Sequence, residues 1–355
     1  MFEDCFDRLR PIGFNRAVAQ ALAALDATSL QDAAPVRVVG VQRDSALVHD
    51  GALERRARIH PRLARELAEA GGALAVGDWV LARADGCGGP WIHARAAPAT
   101  QLVRRDPGGV RHVVVSNVET AFLLMGLDGD FNARRLERYL AVVLSGGVWP
   151  VVILTKADIA AAAGAALPAL RARLPPTVPL HAVNALDPAC ADELAPYLGA
   201  GQTIVLLGSS GAGKSTLTNT LVGRAVQATR AVRADDHRGR HTTTARTLRL
   251  AAGGACVIDT PGLRGLRPDA DADALDASFS DIAALAARCR FRDCRHLDEP
   301  DCAVRAGVPP DRLANYHKLA RELRRDSLTV LERKQQVARW KVLQRAAHAR
   351  MKMKR

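Results

Sequence analysis

TIVLLGSSGAGKSTLTNTLVG, residues 203–223, carries the pattern from which the architecture follows. An apolar run of strand length, 203–207, ends in the glycine-rich GSSGAGKS of Gly208–Ser215 and gives way to a helical pattern from Lys214. Strand, loop and helix in that order are the context that a Walker A phosphate loop needs. Its glycines let backbone N–H groups close around phosphates at a helix N-terminus. Gly208, Ser209, Ser210, Gly211, Ala212, Gly213, Lys214, Ser215 and Thr216 are therefore the expected phosphate-binding residues. Lys214 would reach the β- and γ-phosphates, and the Ser215 hydroxyl would be a ligand of Mg2+.

Downstream, CVID ends in Asp259-Thr-Pro-Gly262, with Asp259 45 residues beyond Lys214. A carboxylate there can hold Mg2+ through water, and the Gly262 N–H can sense the γ-phosphate. Upstream, WPVVIL ends in Thr155-Lys156-Ala157-Asp158. This resembles the element with which GTPases select their base: a carboxylate only accepts hydrogen bonds, so Asp158 rewards guanine and penalises adenine. The Lys156 stem would pack over the base; Thr155 stands where Asn is usual. Val183-Asn184-Ala185, after the strand-like TVPLHA, falls where GTPases carry a short Ser-Ala element. TKAD lies 50 residues before the phosphate loop, whereas ordinary GTPases carry it after DxxG. A sheet tolerates a cut in any surface loop, so the order reads as a circular permutation. The permutation ties the γ-phosphate sensor directly to the segment that follows.

The surroundings read as separate modules, so the fold class is multidomain. Residues 1–33 form an extension with one short helix, NRAVAQALAAL. Over 34–105, short strands (VRVVGVQ, SALVHD, VGDWVLAR, WIHARA) alternate with turns, with a possible helical piece in RLARELAEA; a five-stranded oligonucleotide-binding (OB) barrel fits. Over 106–268, strands and helices alternate, which means a mostly parallel α/β sheet. Residues 269–330 are helical and polar and contain Cys289, Cys294, His296 and Cys302. Three thiolates and an imidazole within 14 residues suit a tetrahedral structural Zn2+ with no open position. Residues 331–355 are a basic amphipathic helix or tail. Of the formal charge of +13, +10 lies in the last 38 residues, which points to a polyanion, nucleic acid ahead of membrane. No apolar run spans a bilayer and the N-terminus does not suit a secretory signal, so a cytoplasmic protein is expected.

Together, the permuted order, GSSGAGKS, GRHTTT at 239–244, DTPG, a barrel with GDWV and the Cys/His cluster resemble the ribosome small-subunit-dependent GTPase A family from about residue 35 to 330. The resemblance implies an OB-fold, a circularly permuted GTPase domain and a C-terminal zinc-binding helical domain. It also implies a monomeric enzyme that turns GTP into GDP with Mg2+, binds the small ribosomal subunit through rRNA, and acts late in its maturation. Its zinc ligands correspond one by one to the four residues above. GRHTTT lies where the first switch belongs, so one of Thr242, Thr243 and Thr244 would meet Mg2+ and the γ-phosphate. Leu263 stands where Ras-like enzymes carry a water-orienting Gln, leaving His241 as the candidate. Gly211 replaces the Asn of K+-dependent relatives, and no K+ site is expected. Three rivals remain: a P-loop kinase or ATPase, an RNA-binding regulator without turnover, and a permuted GTPase of the large subunit.

Overall fold

The computed structural model describes residues 3–25, 32–85, 89–106, 109–128, 131–159, 163–223, 246–260, 267–268 and 272–326. The switch residues His241, Thr242 and Thr243, together with Gly262, Leu263 and the basic tail, lie outside the described residues.

Two helices open the chain, α1 (Glu3–Leu9) and α2 (Arg16–Ala23), where the sequence pattern yields one. Asn15 caps α2 by accepting from the Val18 N–H at 3.0 Å; the seven residues of α1 are too few and too charged to show a period. Leu9, Ile12, Phe14, Val18 and Leu22 bury Trp79, Leu81 and Ala96, so the segment sheathes part of the barrel's outer face.

The barrel strands are β1 (Ala34–Val41), β2 (Ser45–His49), β3 (Glu54–Ile59), β4 (Trp79–Asp85) and β5 (Gly89–Arg95). They pair in the order β1-β2-β3-β5-β4, and β4 returns to β1, closing the cylinder. Alternate residues point inward: Val36, Val38, Ala46, Val48, Ala57, Val80, Ala82 and Ile92, with Leu63 and Leu67 of α3 (Pro61–Glu69) packed among them. β3 escapes a hydrophobicity reading because ERRARI has a single fully buried residue, Ala57. Within GDWV, Asp78 is fully buried and accepts from the Ala75 N–H at 2.8 Å; burial pushes its carboxyl up while Arg95, 3.8 Å away, opposes the shift.

β6 (Gln101–Arg105) pairs with β7 (Arg111–Ser116), not with a barrel strand. The main sheet then runs through β8 (Thr120–Gly126), α4 (Ala133–Ser145), β9 (Trp149–Thr155), α5 (Ala163–Arg171), β10 (Leu180–Ala182), α6 (Cys190–Glu193), β11 (Thr203–Gly208), α7 (Lys214–Val222), β12 (Thr247–Leu250) and β13 (Cys256–Asp259). Its order is β10-β9-β8-β11-β13-β12, with β12 antiparallel to β13 and the other pairs parallel. Both faces are covered, as parallel sheets require. Leu123, Val152 and Val205 meet Leu136 and Leu140 of α4, whereas Leu124, Ile153 and Leu206 meet Leu217 and Leu221 of α7. The barrel continues the sheet through β1, whose Gly40 pairs with Thr247 of β12.

Beyond DTPG the chain returns as β14 (Arg267–Pro268), laid against β6, and continues as α8 (Ala272–Ser278), α9 (Ser280–Ala286), α10 (Ala303–Gly307) and α11 (Pro310–Asp326). These helices share a small core of Leu275, Phe279, Ile282, Val304, Val308 and Leu319. Among the described residues, no helix is long and apolar enough to cross a membrane.

Candidate nucleotide site and metal cluster

Parallel strands deliver their C-terminal ends to one edge, where open α/β sheets take ligands. At this edge β11 runs into the phosphate loop and α7 starts at Lys214 behind Gly213, which has φ 83°. A side chain at Gly208 would meet the Leu124 carbonyl at 2.6 Å, and one at Gly213 would meet the Thr155 hydroxyl at 3.1 Å. Only glycine therefore lets the loop lie this close to its neighbours. Lys214 is 7% exposed and its Nζ donates to the carbonyls of Gly208 (3.0 Å) and Ser209 (2.6 Å), which threads its charge through the loop.

TKAD meets this loop despite its distance in sequence, because β8 alone separates β9 from β11. Thr155 is fully buried and its hydroxyl donates to the Ala212 carbonyl at 3.0 Å. Lys156 turns the chain at φ 63° and its ammonium pairs with Asp128, in the loop after β8. The Ala157 N–H donates to the Val183 carbonyl at 3.3 Å, and Asp158 is exposed. Asn184 accepts from the Leu186 N–H at 3.0 Å, and the Thr220 hydroxyl fastens the same loop to α7 through the Ala185 carbonyl at 2.7 Å. Asp128 belongs to no motif and was not legible in the sequence.

Asp259 ends β13 opposite Leu206 of β11 and is 1% exposed. The following Thr260 donates its hydroxyl to the Leu206 carbonyl at 2.7 Å. The structure thus gathers Thr155–Asp158, Gly208–Thr216 and Asp259 at one sheet edge.

Cys289, Cys294, His296 and Cys302 place their ligand atoms within 4.8 Å of one another. Cys289 Sγ lies 3.7 Å from His296 Nδ1 and 3.9 Å from Cys302 Sγ, and Cys302 Sγ lies 3.5 Å from His296 Nδ1. Tetrahedral Zn2+ with ordinary bond lengths spaces its ligands by about 3.5–3.8 Å, so the donor set and the spacing both fit zinc. Glu299 braces the turn that carries His296 by accepting from the N–H groups of Arg295 (2.9 Å) and Leu297 (2.8 Å). Those N–H groups hold its carboxyl at about 2.

The cluster's helices dock on α4 through buried charge, which no motif announces. Glu137 is 1% exposed and accepts from Arg312 Nη1 (2.7 Å), Arg173 Nε (2.8 Å) and Asn315 Nδ2 (2.5 Å). Arg312 is itself forked onto Asp281 at 2.8 and 2.6 Å, and lies over the Phe279 ring at 4.6 Å. Arg173 also donates to Asp311 at 2.7 Å and thereby holds that carboxyl below its ordinary range. Arg138 pairs with Glu322 beside them.

Comparison with known proteins accords with this arrangement. Residues 96–268 match the family model described as RsgA GTPase. The chain is 47% identical over 299 residues to the small ribosomal subunit biogenesis GTPase RsgA of Xanthomonas oryzae pv. oryzae (strain MAFF 311018), covering 82% of this chain and 81% of that one. It is 51% identical over 256 residues to the protein of that name from Xanthomonas euvesicatoria pv. vesicatoria, covering 70% and 69%. The fold resembles the crystal structure of YjeQ from Thermotoga maritima, with TM-score 0.60 and 22% identity over 82% of this chain and 98% of that one. It also resembles YloQ, described as a circularly permuted GTPase, with TM-score 0.58 and 20% identity over 84% and 97%. The permuted strand order, the closed barrel and the Cys/His cluster, together with 47% identity over most of the chain, make it a member of the RsgA GTPase family.

Proposed function

We propose that the chain hydrolyses GTP to GDP and phosphate on the small ribosomal subunit, late in that particle's maturation. In this reading the GTP state grips the subunit and its rRNA, and subunit contact speeds hydrolysis and release. The relatives it matches are small ribosomal subunit biogenesis GTPases, which supports the partner. The single observation that carries the chemistry is the meeting of TKAD with the phosphate loop through Thr155 and Ala212.

The residues then divide the work. Asp158 accepts from the guanine edge and the Lys156 stem covers the base face; Asp128 positions that lysine. Thr155 acts from below by fixing the phosphate loop to the base-reading loop. Backbone N–H groups of 208–216 and Lys214 take the β- and γ-phosphates, which favours the charge that develops as water attacks. Ser215 and Asp259 are the residues that would hold Mg2+, which supplies charge neutralisation at the phosphates when bound. Thr242, Thr243 and Gly262 sense the γ-phosphate, and His241 takes the water-orienting role that Leu263 cannot fill. Cys289, Cys294, His296 and Cys302 hold one structural Zn2+, and the protein works as a cytoplasmic monomer. Sedimentation through sucrose gradients tests the reading. The chain should travel with small subunits when given a non-hydrolysable GTP analogue, and separate from them with GDP. Equal sedimentation with both nucleotides would overturn the cycle.

A further inference from the structure

The outer wall of the barrel is unevenly clothed. The N-terminal helices cover Trp79, Leu81 and Ala96, but the wall formed by β3, β5 and the far half of β4 carries a different set of residues. Arg58 of β3 and Arg83 of β4 are each in register with Trp91 of β5, one on either side of it. Ala57, Ala82 and Ile92 belong to the barrel core, so alternation turns Arg58, Arg83 and Trp91 outward. The Arg58 guanidinium lies 5.5 Å from the Trp91 ring centre. Arg56, also exposed, lies two residues before Arg58 on the same face.

A β-bulge extends this row. Leu81 pairs with Ala94 but Ala82 pairs with Ile92, which leaves His93 as the extra residue. Bulges commonly re-aim a side chain, and here the His93 ring lies 5.0 Å from that of His60, which in turn lies 6.2 Å from Trp91. An indole on an outer wall contributes nothing to the barrel core. A planar ring between cations suits a ligand that has both a flat apolar face and negative charge. Unpaired RNA has both, since a base stacks on the ring while the flanking phosphates meet the arginines. An acidic protein surface would use the arginines and leave the ring unmatched.

We infer that Trp91, between Arg58 and Arg83, is a stacking platform for one unpaired RNA base. The inference rests on the proposed rRNA partnership and assigns it a specific contact. Stacking releases no counterions, whereas phosphate contacts do, so the two contributions separate with salt.

The test uses the full-length protein and a fluorescein-labelled single-stranded RNA decamer, with anisotropy read over a series of salt concentrations. Trp91→Ala should weaken binding by about 5- to 150-fold at every salt concentration with the slope unchanged. Trp91→Phe should keep most of the affinity. Arg58→Gln with Arg83→Gln should flatten the slope. Trp149→Ala removes an exposed tryptophan at the start of β9, which β8, β11, β13 and β12 separate from the barrel strand β1, and should change nothing. An abasic decamer should bind the wild type and Trp91→Ala alike. Unchanged GTP turnover without subunits checks that the variants fold. Equal decamer affinity of wild type and Trp91→Ala, or equal affinity of wild type for normal and abasic decamers, overturns the platform. Failure of the wild-type protein to bind small subunits would count instead against the proposed function, because the decamer result stands without them.

Discussion

Glu137→Ala should loosen the helices that carry the Cys/His cluster from the nucleotide-binding sheet. The carboxylate is the common acceptor of Arg312, Arg173 and Asn315, and both Glu137 and Arg312 are almost fully buried. Removing one partner of a buried pair typically costs about 3–5 kcal/mol, because the remaining charge stays desolvated. Arg312 retains Asp281 and Arg173 retains Asp311, which places the expected loss at the lower end, about 3 kcal/mol. Urea unfolding measures it: with a slope of about 3 kcal/mol per molar, the midpoint of the C-terminal transition should fall by about 1 M. Limited proteolysis should then release the segment beyond Pro268 first. Glu66→Ala is the control, since its pair with Arg62 on α3 is exposed on both sides and should be worth under about 1 kcal/mol. Replacing Glu137 and Arg312 together by Met should recover part of the loss. If Glu137→Ala unfolds like Glu66→Ala, the buried network is not what joins the two parts.

Three further outcomes follow from the site. Asp158→Asn should weaken GTP binding by about 10- to 150-fold and improve binding of xanthosine triphosphate, whose base presents an acceptor where guanine has a donor; unchanged relative affinities refute the assignment. Asp128→Asn frees the Lys156 ammonium and should raise KM for GTP by about 2- to 5-fold with kcat unchanged, so a fall in kcat alone contradicts the positioning role. Metal analysis should find one zinc per chain, lost in Cys294→Ser and His296→Ala together with protease resistance of the C-terminal helices; full metal content in both variants rules out the ligand set.

How much of this was legible in the sequence depended on whether a signal was local. The phosphate loop announces itself because its glycines and lysine are consecutive, and TKAD because it closes an apolar strand. The cysteines crowd into 14 residues and could be read as one donor set. β3 was hidden by its arginines: Arg56 and Arg58 point outward and Arg55 is exposed near the strand's start, in a barrel that needs only Ala57 and Ile59 of that strand. α1 was hidden by its length. Asp128 and Glu137 were hidden for a different reason: their partners lie 28 and 175 residues away in the chain, and only the fold brings them together. The joint between the GTPase sheet and the helices of the Cys/His cluster is therefore a tertiary fact with no sequence motif.

Stimulation of hydrolysis by the subunit is what the proposed cycle requires. Leu263 cannot orient water, so the isolated chain should turn GTP over slowly and depend on groups that the subunit supplies or orders. Turnover of GTP, measured with and without purified small ribosomal subunits over a range of salt, tests this directly. Turnover should rise by about a thousandfold or more, the scale on which trans-acting groups work in other GTPases, and the rise should be lost at high salt as rRNA contacts weaken. Turnover unaffected by subunits at every salt concentration would contradict the proposed cycle.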